Sequence, residues 1–369
     1  MRELPCTYIR GGTSRALFFK ACDLPEDRSL WPEIFLKSLG VRRTENGLSA
    51  MGMDFPTHKV AVISPYDGPE ADVNYDFFQV DSVNGTVDNR GNCGNMSSAV
   101  GPFAIDEGMV EAHEPETVVR IFNTNMQRII TSRVEVKDGK SCTEGDAVIH
   151  GVPGSGSPIW LSFEAPGGGF CGALFPTGNK TDIFHIPGHG DLPVTLIDCS
   201  NPVVLFRAKD AGLTGTELTS LNSNASFIDL VKRVRGLAAV QFGLVDHWEE
   251  AETKATYIPF LGIVAEPQDY EDMDHHPVLA DDIDVCCRSF FAKLHKAYPI
   301  SASIATAAAA KIEGTVVYDV ARPIGERTSV RLGHAGGTTS VETETQGDTV
   351  IRGTVLRTAQ RIMKGTILI

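Results

Sequence analysis

The chain has 369 residues, 42% of them hydrophobic, and a formal net charge of −14 at pH 7. This length exceeds one ordinary hydrophobic core and predicts two domains of comparable size. The acidic balance argues against nucleic acid and anionic membranes as partners, and no apolar run approaches the roughly 18 residues of a membrane span. The eight cysteines form no C-x-x-C pair, and no apolar leader opens the chain. We therefore expect reduced thiols and a cytoplasmic location.

The opening of the chain is repeated in its second half. Residues 4–19 align without a gap on residues 192–207, with identities at Leu4/Leu192, Pro5/Pro193, Thr7/Thr195, Ile9/Ile197, Leu17/Leu205 and Phe18/Phe206. Each copy is typical of two strands joined by a turn of small residues. The duplication predicts two domains of one design, residues 1–188 and 189–369, divided at the Gly and Pro cluster of residues 186–190. The last strand is a candidate to pair with the first domain.

The remaining patterns predict an α+β fold. In the first half they predict a helix at 29–39, a loop at 52–57, strands at 59–65, 72–80, 117–124, 127–136 and 147–152, and a helix that starts at Cys93. In the second half they predict helices at 226–236, 281–297 and 298–314, and strands at 237–245, 331–338 and 352–369.

Residues 89–105 form the segment with the clearest chemistry. Small polar and glycine residues lead to Cys93, and an apolar run follows, which predicts a loop feeding a buried helix. A helix start exposes unpaired N–H groups and carries partial positive charge, so it binds carboxylates and lowers the pKa of a thiol placed there. The alternative, a buried cysteine that acts only as a small hydrophobic residue, is equally consistent with the sequence.

A second helix start is predicted at Pro299. Matching Glu313-Gly314 with Glu107-Gly108 places Pro299 opposite Cys93. If both helix starts face a shared cleft between the domains, backbone amides can hold a polycarboxylate in a net-negative protein. The second start has no thiol, which argues against a racemase with two symmetric cysteines.

Lys59 is another candidate partner for Cys93. It begins the strand predicted at 59–65. A lysine on a strand is ordinarily exposed, and this is the simpler interpretation. Buried beside a polarised carboxylate, its amine could exchange a proton, because burial tunes the pKa of lysine toward that task.

These segments together resemble the PrpF family, within the diaminopimelate-epimerase-like fold superfamily. The matching motifs are Arg10-Gly11-Gly12-Thr13-Ser14, the strand at Lys59, Gly91-Asn92-Cys93-Gly94-Asn95, Ala99-Val100-Gly101-Pro102-Phe103-Ala104-Ile105, Pro176-Thr177-Gly178-Asn179, Asn201-Pro202-Val203-Val204, Gly333-His334 and Arg357-Thr358-Ala359. The resemblance implies two pseudo-equivalent domains, each a β-roll around a central apolar helix, with the active site in the cleft between them. It also implies a cofactor-free isomerase that shifts a C=C bond in acids such as aconitate, 2-methylaconitate, methylitaconate or oxalomesaconate, with Lys59 and Cys93 as catalytic residues.

Three positions depart from the family pattern. The family usually has lysine at Arg15, a serine-threonine-serine run at residues 56–58, and proline and serine at Ala335 and Gly336. All three lie where substrate carboxylates are expected. The resemblance therefore predicts the type of reaction more securely than the acid that reacts.

The mechanistic hypothesis is an allylic 1,3-proton shift in aconitate or 2-methylaconitate. Lys59 and Cys93 remove a proton from one end of the allylic unit and return one at the other, and amide groups stabilise the dienolate between them. The expected substrate contacts are Ser14, Asn92, Gly94, Asn95, Asn201, Ser301, His334, Gly336 and Gly337.

Several alternatives stay open. The chain could instead be a racemase or epimerase of a small amino or hydroxy acid, or an accessory protein that binds tricarboxylates without turnover. We expect no cofactor and no metal; His275 and His276 fit a solvated loop better than a metal site, since no third ligand is in view. No nucleotide-binding motif is present. Whether the chain forms a homodimer is undetermined by the sequence.

Overall fold

The computed structural model describes residues 3–41, 58–82 and 84–369 and divides the chain into two compact units. Unit 1 comprises residues 1–162 and 356–369, and unit 2 comprises residues 163–355. The loop predicted at 52–57 lies outside the described residues.

Over its described residues, unit 1 consists mainly of strands, with two α-helices. Its elements up to the crossing into unit 2 are β1 (Glu3–Gly11), β2 (Ser14–Lys20), α1 (Trp31–Ser38), β3 (Lys59–Pro65), β4 (Val73–Asp81), β5 (Thr86–Asp88), α2 (Gly94–Asp106), β6 (Glu116–Asn123), β7 (Arg128–Lys137), β8 (Lys140–Ser141) and β9 (Ile159–Glu164).

Unit 2 continues from the end of β9, and the chain returns to unit 1 at the end of β19. The further elements are β10 (Asp182–Ile186), β11 (Gly190–Asp198), β12 (Pro202–Arg207), α3 (Ala225–Gln241), α4 (Ala251–Lys254), β13 (Phe260–Ala265), β14 (Tyr270–Glu271), β15 (Pro277–Val278), β16 (Val285–Ser289), α5 (Ile300–Ala309), β17 (Ser329–His334), β18 (Gly337–Gln346), β19 (Thr349–Arg357) and, in unit 1, β20 (Ala359–Leu368).

The two units share one order of strand pairing. In unit 1, β1/β2 is antiparallel, β2/β3 parallel, β3/β4 antiparallel, β4/β6 parallel and β6/β7 antiparallel. In unit 2, β11, β12, β13, β16, β17 and β18 pair successively in the same alternation. The last strand, β20, pairs antiparallel with β1.

Helix α2 is buried over its whole length. Small residues make this possible, because they let strands approach the helix closely. A Cβ added at Gly101 would lie 2.6 Å from the Ser132 hydroxyl of β7, so only glycine fits there. Helix α5 is likewise buried throughout, and a Cβ at Gly353 of β19 would lie 2.6 Å from the Ile304 side chain. Both helices are therefore core elements of their own units.

The repeated opening hairpin is present in both units, although its register differs by one residue. Thr7 pairs with Phe18 in β1/β2, whereas Thr195 pairs with Leu205 in β11/β12. The ungapped alignment is therefore right for the first strand and wrong by one position in the second. The physical reason is the turn: Gly11 and Ser14 are joined by residues 12–13, whereas Asp198 and Pro202 are joined by residues 199–201, with Ser200 at a φ of 65°.

The predicted boundary at residues 186–190 is the turn of the β10/β11 hairpin, inside unit 2. Gly188 and Gly190 have φ values of 83° and 87°, a backbone conformation that favours glycine. A cluster of glycine and proline marks a tight hairpin as readily as a domain linker, so composition could not separate the two cases.

Three predicted elements are wrong. Residues 237–245 were expected to form a strand, but α3 continues to Gln241, because the good helix former Ala238 extends its buried face. Residues 281–297 were expected to form a helix, but strand β16 lies there, and all five of its residues are buried. Such a short apolar run has no reliable period. Residues 147–152 make only a single bridge, from Ala147 to Gly156.

Residues 331–338 contain the end of β17, its turn and the start of β18, and residues 352–369 contain the end of β19 and all of β20. The other predicted elements are confirmed with shifts of their ends. Strand β3 spans the predicted residues, and the two helix starts lie at Cys93 and Pro299, as expected. Within the described ranges, no helix has the length and apolar character needed to cross a membrane.

Candidate active site

Lys59 is the first residue of β3 and is buried. It lies opposite Gln79 of β4, and its Nζ donates a hydrogen bond to the Gln79 side-chain oxygen. Lys59 is only 2% exposed, so the expectation of an ordinary exposed strand lysine is wrong. Burial lowers the pKa of the Lys59 ammonium, and the nearby Cys93 thiol opposes this shift by raising it. The pKa of the Lys59 amine is therefore set by burial and by the charge of Cys93.

Cys93 is the N-cap residue of α2. Its extended backbone, with φ −112° and ψ 100°, lets its carbonyl oxygen accept the N–H of Ser97 at 3.0 Å and the Ser97 hydroxyl at 3.1 Å. Cys93 is 7% exposed. The amides that follow it, beginning with Gly94, form the first turn of the helix, where backbone N–H groups lack partners within the helix. The thiol is thus placed at the positive end of a buried helix.

The turn between β1 and β2 lies against the same helix start. Asn95 donates from Nδ2 to the Thr13 hydroxyl at 3.0 Å. Gly12 has a φ of 52°, and a Cβ there would lie 2.1 Å from the Asn95 side-chain oxygen. The N–H of Gly12 also donates to Thr358 O at 2.9 Å. Ser14, which opens β2 directly after this turn, is buried.

Asn92 precedes the cap and is almost completely buried. Its side-chain oxygen lies 3.4 Å from the Ser97 hydroxyl and 3.3 Å from Nδ2 of Asn123. Asn123 ends β6, and its own oxygen accepts the N–H of Met126 at 2.9 Å. Sequence reasoning missed Asn123; an asparagine at a strand end before a turn was the available signal.

In unit 2, two predicted residues meet at the start of α5. Asn201 donates from Nδ2 to the Ser301 hydroxyl at 2.8 Å, and the Ser200 hydroxyl lies 3.4 Å from the same oxygen. Ser301 is the second residue of α5 and is buried. The hairpin turn of this unit therefore contacts its helix start, as the first hairpin does in unit 1.

The remaining predicted residues form the turn between β17 and β18. The buried His334 ring is held on both sides: Nε2 lies 3.0 Å from the Thr339 hydroxyl, and Nδ1 accepts the Gly336 N–H at 3.2 Å. The Tyr270 hydroxyl donates to the carbonyls of His334 at 2.9 Å and Gly337 at 3.3 Å. Burial raises the pKa of Tyr270, so it stays a hydrogen-bond donor. Thr339 and Tyr270 were not found from the sequence, because their contacts depend on distant pairing.

Of the positions that depart from the family pattern, the structure describes all except residues 56 and 57. Arg15 is exposed and lies opposite Arg10 in the β1/β2 hairpin. Ala335 is buried, and a Cβ at Gly336 would lie 2.9 Å from the Lys296 carbonyl oxygen. Of residues 56–58, only His58 is described, and it is buried.

The loop with the two neighbouring histidines does contain a third group with metal-binding atoms. Asp272, Asp274 and His276 place their ligand atoms within 4.8 Å of one another, so the expectation that no third ligand is in view is wrong. Asp272 Oδ1, however, accepts the N–H groups of Asp274 at 2.8 Å and His276 at 2.9 Å, and Asp274 pairs with Lys296 at 2.6 Å. These contacts give the cluster a structural role in its loop.

The fold is shared with solved structures. A crystal structure of methylitaconate-delta-isomerase superposes with a TM-score of 0.83 at 38% identity, covering 99% of this chain and 95% of that one. A hydroxyproline epimerase from Agrobacterium vitis superposes with a TM-score of 0.57 at 13% identity, covering 99% and 92%, and shows the fold alone. The protein thus has the mixed α/β fold of the diaminopimelate-epimerase-like proteins.

Sequence comparisons then define the family. The family described as PrpF protein matches residues 1–369. The 3-methylitaconate isomerase of Eubacterium barkeri is 38% identical over 370 residues, covering all of this chain and 97% of the relative. The 2-methyl-aconitate isomerase of Cupriavidus necator is 34% identical over 386 residues, covering 99% and 96%. The chain belongs to the PrpF family and is an isomerase.

Proposed function

We propose that this isomerase shifts a C=C bond in an unsaturated polycarboxylic acid by an allylic 1,3-proton transfer, with aconitate or 2-methylaconitate as the substrate. The observation that carries the proposal is the buried Lys59 amine, whose pKa is influenced by the charge of Cys93 at the start of α2. Relatives named for 3-methylitaconate and 2-methylaconitate support this substrate class.

The chemistry requires one proton to leave and one to return. A group of the Lys59 and Cys93 pair removes a proton from the allylic CH₂, the electron pair enters the adjacent C=C unit, and the dienolate charge spreads onto carboxylate oxygens. A proton is then delivered to the other end of the three-carbon unit. For aconitate the product is again aconitate, now with the other terminal carboxylate conjugated, and it is the trans acid when the new double bond forms with the opposite geometry.

The groups around the pair suit the charge of that intermediate. The amides of Gly94 and Asn95 lie in the first turn of α2, at its positive end, and can receive a carboxylate, and Ser14 is a further predicted contact. Asn92 is held next to Cys93 by Asn123. In unit 2, Asn201, Ser301, His334, Gly336 and Gly337 remain the predicted substrate contacts.

The test is turnover of cis-aconitate and 2-methylaconitate in heavy water, followed by proton NMR. We expect migration of the double bond with solvent deuterium at the newly saturated carbon, and its loss in Cys93→Ala and Lys59→Ala. Cys142→Ala, which removes a half-buried cysteine of the same unit, is the matched control and keeps the activity. Unimpaired turnover in both active-site variants would remove the mechanism. Loss of optical rotation in an amino or hydroxy acid, without double-bond migration, would support an epimerase instead.

A further inference from the structure

Gln79 is a buried polar residue to which the proposed reaction assigns no role. Its side-chain oxygen accepts the hydrogen bond from Lys59 Nζ. Its Nε2 donates to the carbonyl oxygens of His58 at 2.9 Å and Val80 at 3.4 Å. Only the nitrogen of a side-chain amide can donate, so these two carbonyls fix the amide with its oxygen toward Lys59. The orientation of Gln79 is therefore set by the backbone of β4 and of His58, the residue before β3.

The corresponding position in unit 2 shows that the fold does not need this polar pair. Leu17 of β2 pairs with Val60, just as Val204 of β12 pairs with Leu261. Lys59 therefore corresponds to Phe260, and each is the first residue of its strand.

The partner across the strand corresponds as well. Continuing the β13/β16 register two residues past the end of β16 places the half-buried Phe291 opposite Phe260, where unit 1 has Gln79 opposite Lys59. The two phenylalanine rings pack edge to face with centroids 5.3 Å apart. An apolar pair satisfies the packing there without the cost of burying an amine and an amide. Packing alone therefore does not explain the polar pair of Lys59 and Gln79 in unit 1, and we look for a functional reason.

We propose that Gln79 is a positioning residue that holds the Lys59 amine beside Cys93 through a neutral hydrogen-bond acceptor. This inference rests on the proposed function, since it assumes that Lys59 moves the proton. A carboxylate at position 79 would anchor the amine equally well but would stabilise the ammonium form, so the proton would be harder to release. The amide fixes the position of Nζ without adding a negative charge.

The surroundings of Nζ agree with this role. The Phe77 ring, on the same face of β4, has its centroid 5.4 Å from Nζ, and Phe77 is fully buried. Burial lowers the pKa of Lys59, and a charged acceptor at position 79 would oppose this effect, as the charge of Cys93 already does. Gln79 thus supplies an anchor that preserves the effect of burial.

The experiment compares Gln79→Glu and Gln79→Met with the unmodified protein. The pKa of Lys59 is measured by NMR of ¹³C-labelled lysine side chains, with the signal assigned by its absence in Lys59→Met. We expect Gln79→Glu to raise the pKa of Lys59 by about 1 unit or more, and to move the pH optimum of cis-aconitate isomerisation upward by a similar amount. We expect Gln79→Met, which removes the acceptor, to lower kcat about tenfold with little change in KM.

The controls are Gln360→Glu and Gln360→Met, at an exposed glutamine of unit 1, and both should leave the pKa and the pH profile unchanged. A purely structural Gln79 would change thermal stability but not the pKa of Lys59 or the pH profile, and that result would overturn the inference. If the unmodified protein turned over neither acid while the pKa of Lys59 responded to Gln79→Glu, the proposed reaction would fail and the anchoring role would be supported.

Discussion

The two units have the same order of strand pairing but different residues at equivalent positions. Unit 1 begins its third strand with Lys59 and its buried helix with Cys93, whereas unit 2 has Phe260 and Pro299 at these places. Both helix starts keep the same local support, a serine four residues later whose hydroxyl donates to the cap carbonyl at 3.1 Å. The scaffold is thus common to both units, and the proposed acid–base groups belong to one of them.

This comparison distinguishes the residues that the fold requires from the residues proposed for the reaction. Unit 2 shows that a strand and helix of this design are stable with apolar residues at both positions. The buried amine of Lys59 therefore costs unit 1 stability that an apolar side chain would not. Active sites typically contain residues that lower the stability of the folded protein.

The largest effect expected is from making unit 1 resemble unit 2. The double change Lys59→Met with Gln79→Met removes both polar partners, so neither is left unsatisfied. We expect activity to fall by about 10³-fold, while the free energy of unfolding rises by about 1 kcal/mol. Denaturant unfolding and aconitate turnover measure the two quantities.

The matched change in unit 2 is Phe260→Leu, which should show the opposite pattern. We expect a loss of stability of about 1–2 kcal/mol from the smaller side chain and little change in kcat. If Phe260→Leu abolished turnover while the double variant of unit 1 remained active, the assignment of chemistry to unit 1 would be wrong.

The next expected effect concerns Asp284, a charged residue of unit 2 with a structural role. Asp284 is fully buried and pairs with Arg331 at 2.9 Å and Arg327 at 3.2 Å. Burial works against the Asp284 carboxylate, but the hydrogen bonds from these arginines prevail and lower its pKa. We expect Asp284→Asn to cost about 3 kcal/mol in the free energy of unfolding, and kcat to be unchanged in the fraction that remains folded.

The pH dependence of stability tests whether Lys59 titrates as a buried amine. Its pKa is lowered in the folded protein from the ordinary 10.5, so between the two values the unfolded chain holds more protons. The stability of the unmodified protein therefore rises with pH through this window relative to the double methionine variant. We expect the stability advantage of that variant to be largest below the folded pKa and to shrink as pH approaches 10.5. A constant difference across the window would contradict a buried, titrating amine.

The smallest expected effects come from the two cap serines. Ser303→Ala removes the hydroxyl that donates to Pro299 O, and we expect a loss of about 1 kcal/mol in stability with unchanged turnover. Ser97→Ala should cost the same stability and also lower kcat, because the Ser97 hydroxyl contacts both Cys93 O and Asn92. Equal kinetic behaviour of the two variants would remove the functional difference between the helix starts.

The sequence predicted several parts of the site because their signals are local. Glycine and asparagine before an apolar run predicted the helix start at Cys93, and the β-favouring run after Lys59 predicted β3 with its observed bounds. The match of Glu313-Gly314 with Glu107-Gly108 also identified Pro299 as the second cap. These features depend on neighbours within a few residues.

Other parts could not be predicted, because they depend on residues far apart in the chain. The run at 285–289 is a strand only because it pairs with β13 and β17. Tyr270 reaches the carbonyls of His334 and Gly337 across more than sixty residues of sequence. A local pattern contains no information about such partners.

By itself, the sequence determined the positions of the two proposed reactive groups: the Lys59 amine at the start of a strand and the Cys93 thiol at the start of a helix. Only the tertiary structure decided that Lys59 is buried, that Gln79 accepts its hydrogen bond, and that Cys93 influences the pKa of its amine. The physical reason is that caps and turns arise from short-range geometry, whereas burial and pKa arise from whatever the folded chain packs around a group.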